Sequence, residues 1–203
     1  MTGLIAIDQK VEAFPGTNTN QSFYLTMRDG TKIAVDLWLP SGINFFSKKL
    51  PTIISATRYW RSKDWLPTTL ASDIAPPDRP RYWNRNGYAM VLIDARGTGA
   101  SFGSRDYPFS PDEIDDYGEI IDWIVSPQWS NGNVAGWGIS YDGDTAEWMV
   151  STGRQAIKAV IPQYSDFDLF EHNFAPGGIF NDGFTKAWSA NNVLLDTNDV
   201  CAI

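Results

Sequence analysis

From residue 88 to residue 162, short apolar runs alternate with helix-like stretches. This alternation constrains the fold more than any other feature of the chain. Tyr88-Ala-Met-Val-Leu-Ile-Asp94 is a continuous apolar run, the pattern of a strand buried on both faces. Ser110, Pro111 and Glu113 then set out a capping box with proline at the first helical position. Ile114, Tyr117, Ile120, Ile121, Trp123 and Ile124 follow at helical spacing, and the helix stops near Ser126-Pro127. Asn133 to Trp137 reads as a strand, Asp142 to Thr152 as a helix, and Ala159-Val160-Ile161 as a strand closed by Pro162. Strand–helix–strand repetition at this spacing requires parallel strands with crossover helices on the faces of the sheet.

The upstream third adds antiparallel strands. SFYLTM and KIAVDLWLP flank Arg28-Asp29-Gly30-Thr31, and Asp-Gly between β-rich runs predicts a hairpin over 21–39. Pro51 to Thr57 reads as a short buried strand, and Arg79 to Arg85 as a short helix ended by Gly87. Residues 61–80 read as irregular, with Pro67, Pro76, Pro77 and Pro80. After Pro162 the chain turns rich in Phe, Asp, Asn and Gly, so 163–203 reads as a turn region followed by a helix outside the sheet. The expected architecture is α/β: a mixed, mostly parallel sheet with helices on both faces.

Composition narrows the function. At 203 residues and 43% hydrophobic, the chain can bury a core of its own. A net charge of −8 argues against nucleic acid or an anionic membrane as partner. Cys201 is the only cysteine, so neither an internal disulfide nor a cysteine-based metal site is expected, and no metal or cofactor is implied. The first residues lack the pattern of a signal peptide and no apolar run reaches membrane-spanning length, so the expectation is a cytoplasmic protein with no membrane partner.

The chemistry concentrates in Gly136-Trp137-Gly138-Ile139-Ser140-Tyr141-Asp142-Gly143, between a strand and a helix. A serine hydroxyl becomes a useful nucleophile when it is exposed, close to a base, and beside donors that stabilise an oxyanion. A tight strand-to-helix turn lifts Ser140 out of the sheet and aims the Tyr141 backbone N–H at an incoming carbonyl oxygen. Gly136, Gly138 and Gly143 supply the small residues such a corner needs. Asp142 and Asp144 read as structural, favoured as anions by the helix N-terminus. From the residues alone Ser140 is either a nucleophile or a turn residue, because a G-x-S match needs its structural context. Asp94 and Arg96 read as residues that bond the loop after the strand rather than as catalytic groups. Of the nine tryptophans, Trp38, Trp83, Trp123, Trp137 and Trp148 lie in or beside elements and read as packing rather than as carbohydrate contacts.

Several segments together resemble the CocE/NonD serine hydrolases of the α/β-hydrolase fold, a family of esterases, acylases and Xaa-Pro dipeptidyl-peptidases. They are MRDGTKIAVDLWLP (27–40), ATRYWR (56–61), GYAMVLIDARGTGASFGS (87–104), the run from Asp112 to Gly143, and DFDLF…PGGIFNDGF (166–184). The resemblance covers roughly residues 20–190. The family's elbow reads G-x-S-Y-x-G, which Gly138 to Gly143 fits. It implies Ser140 as nucleophile, and it implies Tyr59 as a second oxyanion donor through its hydroxyl. In the family the segment around that tyrosine often reads T-P-Y; Arg58 stands here in place of the proline. Without the resemblance, Tyr59 is either a hydroxyl donor to an oxyanion or an aromatic residue packed at a loop mouth.

The resemblance also implies a division into 1–162, the N-terminal part of a hydrolase core, and 163–203, the start of a helical cap. The expected substrate is a small-molecule ester or amide, and a homo-oligomer stays open for a full-length protein. The triad of this fold runs Ser, Asp, His along the chain. The one histidine, His172, lies only 32 residues after Ser140 and reads as a cap or surface residue rather than the base. Asp166, Asp168, Asp182, Asp196 and Asp199 likewise come too early for the triad acid. The expectation is therefore a C-terminally truncated chain without turnover of its own, whose last strand near 158–162 has an open edge. The alternative is a ligand- or partner-binding α/β-hydrolase module.

Overall fold

The computed structural model describes residues 7–8, 18–44, 47–62 and 79–199. Most of the irregular stretch with Pro67, Pro76 and Pro77, and Cys201, lie outside them. The strands are β1 (Ile7–Asp8), β2 (Asn18–Thr26), β3 (Lys32–Pro40), β4 (Leu50–Thr57), β5 (Ala89–Asp94), β6 (Ser130–Ile139) and β7 (Ile157–Gln163). They form one sheet in the order β1-β2-β3-β5-β4-β6-β7. The β2–β3 hairpin closes through Gly30, whose φ of 85° only glycine adopts at little cost, with its N–H donating to Met27 O at 2.9 Å. β3 lies antiparallel on β5, whereas β5–β4, β4–β6 and β6–β7 are parallel pairs. Five strands, β2, β5, β4, β6 and β7, therefore point the same way, and the mixed, mostly parallel sheet expected from the alternation is present.

The helices α1 (Arg79–Arg85), α2 (Pro111–Ile124) and α3 (Tyr141–Ser151) cover both faces. Successive residues of β6 show this, because side chains alternate across a strand. A Cβ on Gly136 would meet Ala146 of α3 at 3.2–3.3 Å, whereas the ring of the next residue, Trp137, packs edge-on against Trp83 of α1 at 6.3 Å. Tyr117, Ile120, Ile121 and Ile124 of α2 are fully buried with Leu25, Val35, Ile54 and Val91. Each such side chain removed from water contributes roughly 1.5–3 kcal/mol.

The start of α2 differs from the capping box read in the sequence. Pro111 occupies the first turn as expected, but the Ser110 side chain makes no capping bond and its buried hydroxyl has no partner among the described residues. Glu113, instead of returning to the Ser110 N–H, accepts from the Phe109 N–H at 3.0 Å and from the hydroxyls of Tyr117 and Tyr141. The tertiary partners outcompete the local cap, because burying this carboxylate requires several donors at once.

Beyond β7 the chain forms a π-turn (Phe170–Phe174), a 3-10 turn (Pro176–Gly178) and helix α4 (Asp182–Asp196), capped by the Asn181 side chain. Helix α4 lies outside the sheet and is tied back to the strand ends. Trp60 Nε1 donates to Leu195 O at 3.1 Å, Arg58 bonds both oxygens of Asp196 at 2.9–3.0 Å, and Asn198 Nδ2 donates to Gly99 O at 3.0 Å.

Candidate active site

Ser140 occupies the corner between β6 and α3 with φ 60° and ψ −129°, a left-handed strained conformation for a residue with a side chain. The corner holds because its surroundings force it. The Ser140 N–H donates to Gln163 O at 2.8 Å, and its carbonyl accepts from the N–H groups of Gly143 and Asp144 at 2.7 and 3.0 Å. A Cβ on Gly138 would lie 2.1 Å from Asp142 O, and one on Gly143 would lie 2.6 Å from Gln163 O. These two positions admit no side chain. The serine side chain is exposed, and among the described residues its hydroxyl takes no hydrogen-bond partner.

Ser140, Tyr141 and Tyr59 line one cavity of about 280 Å³. Its apolar wall is Phe109, Phe174, Phe184 and Trp188, and Asp144 and Asp166 also border it. The structure thus brings together the three residues that the sequence singles out, from the end of β4, the corner and the start of α3. Tyr141 is 3% exposed; its ring stacks on Phe109 at 4.3 Å and its hydroxyl donates to Glu113. Burial first, and the Glu113 carboxylate second, push the Tyr141 phenol well above its usual range, so it stays protonated. With its side chain fixed in this way, the Tyr141 backbone N–H stands at the first turn of α3, where no intrahelical carbonyl is available to it. Tyr59 is half-buried and meets Tyr141 edge-on at 6.1 Å. Its backbone N–H donates to the Thr57 hydroxyl at 2.9 Å, and its own hydroxyl accepts from Trp188 Nε1 at 3.5 Å.

Two aspartates in the first turn of α3 depart from the sequence reading. Asp142 is 8% exposed; burial pushes its carboxyl up to about 7, a hydrogen bond from Thr57 and the charge of Arg79 opposing. Asp144 is pushed up to about 6 by burial, against a bond from the Asp166 N–H at 2.7 Å. The helix N-terminus does not outweigh desolvation at either position, so neither is held as a favoured anion.

His172 does not line the cavity; its Nδ1 lies 3.6 Å from Asp166 Oδ1 with half of the side chain exposed. Asp94 bonds loop backbone as read, accepting from the N–H groups of Arg61 at 2.7 Å and Ala100 at 2.9 Å. Arg96 instead grips side chains, Asp116 at 2.6–2.8 Å and Thr31 at 2.9 Å, with Asp29 beside them. Of the five tryptophans read as packing, Trp123 is buried, but Trp148 is 41% exposed. Sequence reasoning missed Glu113 as the anchor of the corner. Its one signal, a glutamate in a first turn, has a sufficient local explanation. Among the described residues, no helix is long and apolar enough to cross a membrane.

Comparison with known proteins places this geometry in a lineage. A family model for X-Pro dipeptidyl-peptidase (S15 family) matches residues 29–199. A Mycobacterium bovis protein named provisionally as a serine esterase is 43% identical over 185 residues, which is 87% of this chain and 29% of that protein. Cocaine esterase of a Rhodococcus strain is 30% identical over 174 residues, 81% of this chain and 27% of the esterase. A CocE/NonD family hydrolase from Staphylococcus aureus superposes with a TM-score of 0.73 at 30% identity, covering 88% of this chain and 33% of that one. The sheet and its helices are those of the α/β-hydrolase fold. The chain spans less than a third of the length of the curated relatives it matches.

Proposed function

The chain belongs to the X-Pro dipeptidyl-peptidase (S15) family, and from that premise we propose that it carries the nucleophile and oxyanion half of a serine hydrolase acting on carboxylic esters or amides. The observation that supports the reading is that Ser140, on its strained corner, lines one cavity with Tyr141 and Tyr59. In this reading Ser140 Oγ attacks the substrate carbonyl carbon as a base takes its proton. The carbonyl oxygen becomes an oxyanion between the Tyr141 N–H and the Tyr59 O–H, each made stronger by the low dielectric of an aromatic cavity. Collapse expels the alcohol or amine with that proton and leaves an acyl group on Ser140, which water then removes. Phe109, Phe174, Phe184 and Trp188 form an apolar seat for one substituent of the carbonyl. The family and its esterase relatives support the reaction class; the choice among ester, amide and Xaa-Pro peptide is set by contacts beyond this set.

Among the described residues no histidine lines the cavity: His172 lies against Asp166, which itself borders it. That observation favours a second reading for the 203-residue chain on its own, a ligand-binding α/β-hydrolase module without turnover. A fluorophosphonate probe separates the two. The first reading expects an adduct on Ser140, mapped by peptide mass spectrometry and abolished by Ser140→Ala. Its rate should rise when a downstream segment supplying a histidine is appended. An adduct elsewhere, or ester hydrolysis unchanged by Ser140→Ala, would sink it.

A further inference from the structure

We propose that Trp188 of α4 is a positioning residue that sets the direction of the Tyr59 phenolic proton. The proposal rests on the reading of Tyr59 as an oxyanion donor. A phenol has one proton to give and lone pairs to receive, whereas an indole N–H only donates. Trp188 Nε1 lies 3.5 Å from the Tyr59 oxygen and donates to it. The phenolic hydrogen lies near the ring plane in one of two orientations. An N–H pointing at the oxygen from one side disfavours the orientation in which the two hydrogens meet. The hydrogen is thereby turned away from the indole, within the cavity that Tyr59 and Trp188 line together with Ser140 and Tyr141. Accepting a bond also polarises the hydroxyl and makes it a better donor. A catalytic hydrogen bond that is long in the free protein tightens as the oxyanion draws on it.

The surroundings of Trp188 are built to hold that indole. Phe184, one turn earlier on α4, stacks with it at 6.2 Å and 15°, and Phe174 packs edge-on at 6.3 Å. On another side the Arg58 guanidinium lies 5.1 Å from the Trp188 ring and 5.5 Å from the Tyr141 ring. Arg58 is itself 2% exposed and clamped by Asp196 at the end of α4. One cation therefore lies over two aromatic rings that line the cavity, the residue next to it in sequence is Tyr59, and the same helix delivers Trp188 and Asp196.

The first test needs no turnover. In a spectrum of indole N–H groups, the Trp188 signal, identified by its loss in Trp188→Phe, should move upfield in Tyr59→Phe, which removes its acceptor and leaves the ring. An unmoved signal overturns the proposal. The second test is a double-mutant cycle on the rate of fluorophosphonate attachment at Ser140. Tyr59→Phe should slow it about a hundredfold and Trp188→Phe, which retains an aromatic wall, about tenfold. The double variant should be no slower than Tyr59→Phe, because Trp188 acts through Tyr59. Additive losses would make Trp188 a cavity wall only and overturn the proposal. Attachment that persists in Ser140→Ala would instead overturn the serine reading and leave the indole result standing.

Discussion

At the scale of single residues, the corner is a set of steric exclusions around one strained serine. Gly138 is the tightest of them. Replacing it with alanine drives a methyl group into the Asp142 carbonyl, which is backbone and cannot step aside. Gly138→Ala should therefore cost at least about 3 kcal/mol in denaturant unfolding, where an exposed glycine such as Gly183, with nothing within 4 Å and no positive φ, would not. Asp142 gives a prediction with a definite sign. Its folded carboxyl holds its proton up to about 7, whereas an unfolded aspartate releases it near about 3.9. The native state thus binds more protons between those values. The stability this group contributes is present below the lower value and is lost as pH rises through the upper one. Asp142→Asn removes that slope. Its melting temperature should exceed that of the wild type by several degrees at pH 8, corresponding to about 2 kcal/mol, with a much smaller gap at pH 5. Equal differences at the two pH values would show that the buried charge does not matter. Ser140 and Tyr141 were legible in the sequence because their signal is local, six residues at a strand–helix junction. Glu113 was not, because its bond to Tyr141 joins positions 28 apart and nothing local marks it.

At the scale of elements, α4 connects the segment after β7 to the cavity. Asp196 clamps Arg58 and also lies 3.6 Å from Arg105, and Arg105 lies 3.7 Å from Glu113, the anchor of Tyr141. A line of charges thus runs from the end of α4 to the nucleophile corner. Asp196→Ala leaves the buried Arg58 guanidinium without its carboxylate, a cost well above that of an exposed ion pair. Backbone amides over 182–196 should then exchange with deuterium faster, while those of β4 and β5 stay protected; unchanged exchange in α4 would show that the clamp does not hold it. The elements themselves were largely legible, since periodicity and turn residues mark them. The pairing of β3 with β5 rather than β4, and the seating of α4 on Arg58, depend on contacts between segments distant in the chain. In the family this chain resembles, a proline often stands where Arg58 does, so the seat rests on a departure from the common pattern.

At the scale of the whole molecule, a buried charge network and an open edge stand out. Arg96 joins the β2–β3 turn at Asp29 to α2 at Asp116, while Arg61 joins Asp36 of β3 at 3.1 Å to Asp94 of β5 at 2.6 Å. Burial pushes Asp116 up to about 6 despite Arg96, so this link carries a desolvation cost that its hydrogen bonds offset. On the far side β7 is the last strand of the sheet among the described residues, and Ile161 is 39% exposed on it. An unpaired, partly apolar edge invites strand addition. Ile161→Lys should lower concentration-dependent association in light scattering, whereas a lysine at the already exposed Gln155 should not. Association indifferent to both changes would place the contact elsewhere.

The sequence by itself determined the α/β class, the order of the elements from β2 onward, the hairpin and the glycine-lined serine corner. All of these follow from local periodicity, turn chemistry and steric need, which act within a few residues. Only the tertiary structure decided that Glu113 anchors Tyr141 instead of capping a helix, that Asp142 and Asp144 resist ionisation, and that α4 brings Trp188 onto Tyr59. Each of those outcomes depends on which distant groups share a desolvated space, and burial, unlike periodicity, exists only once the chain has folded.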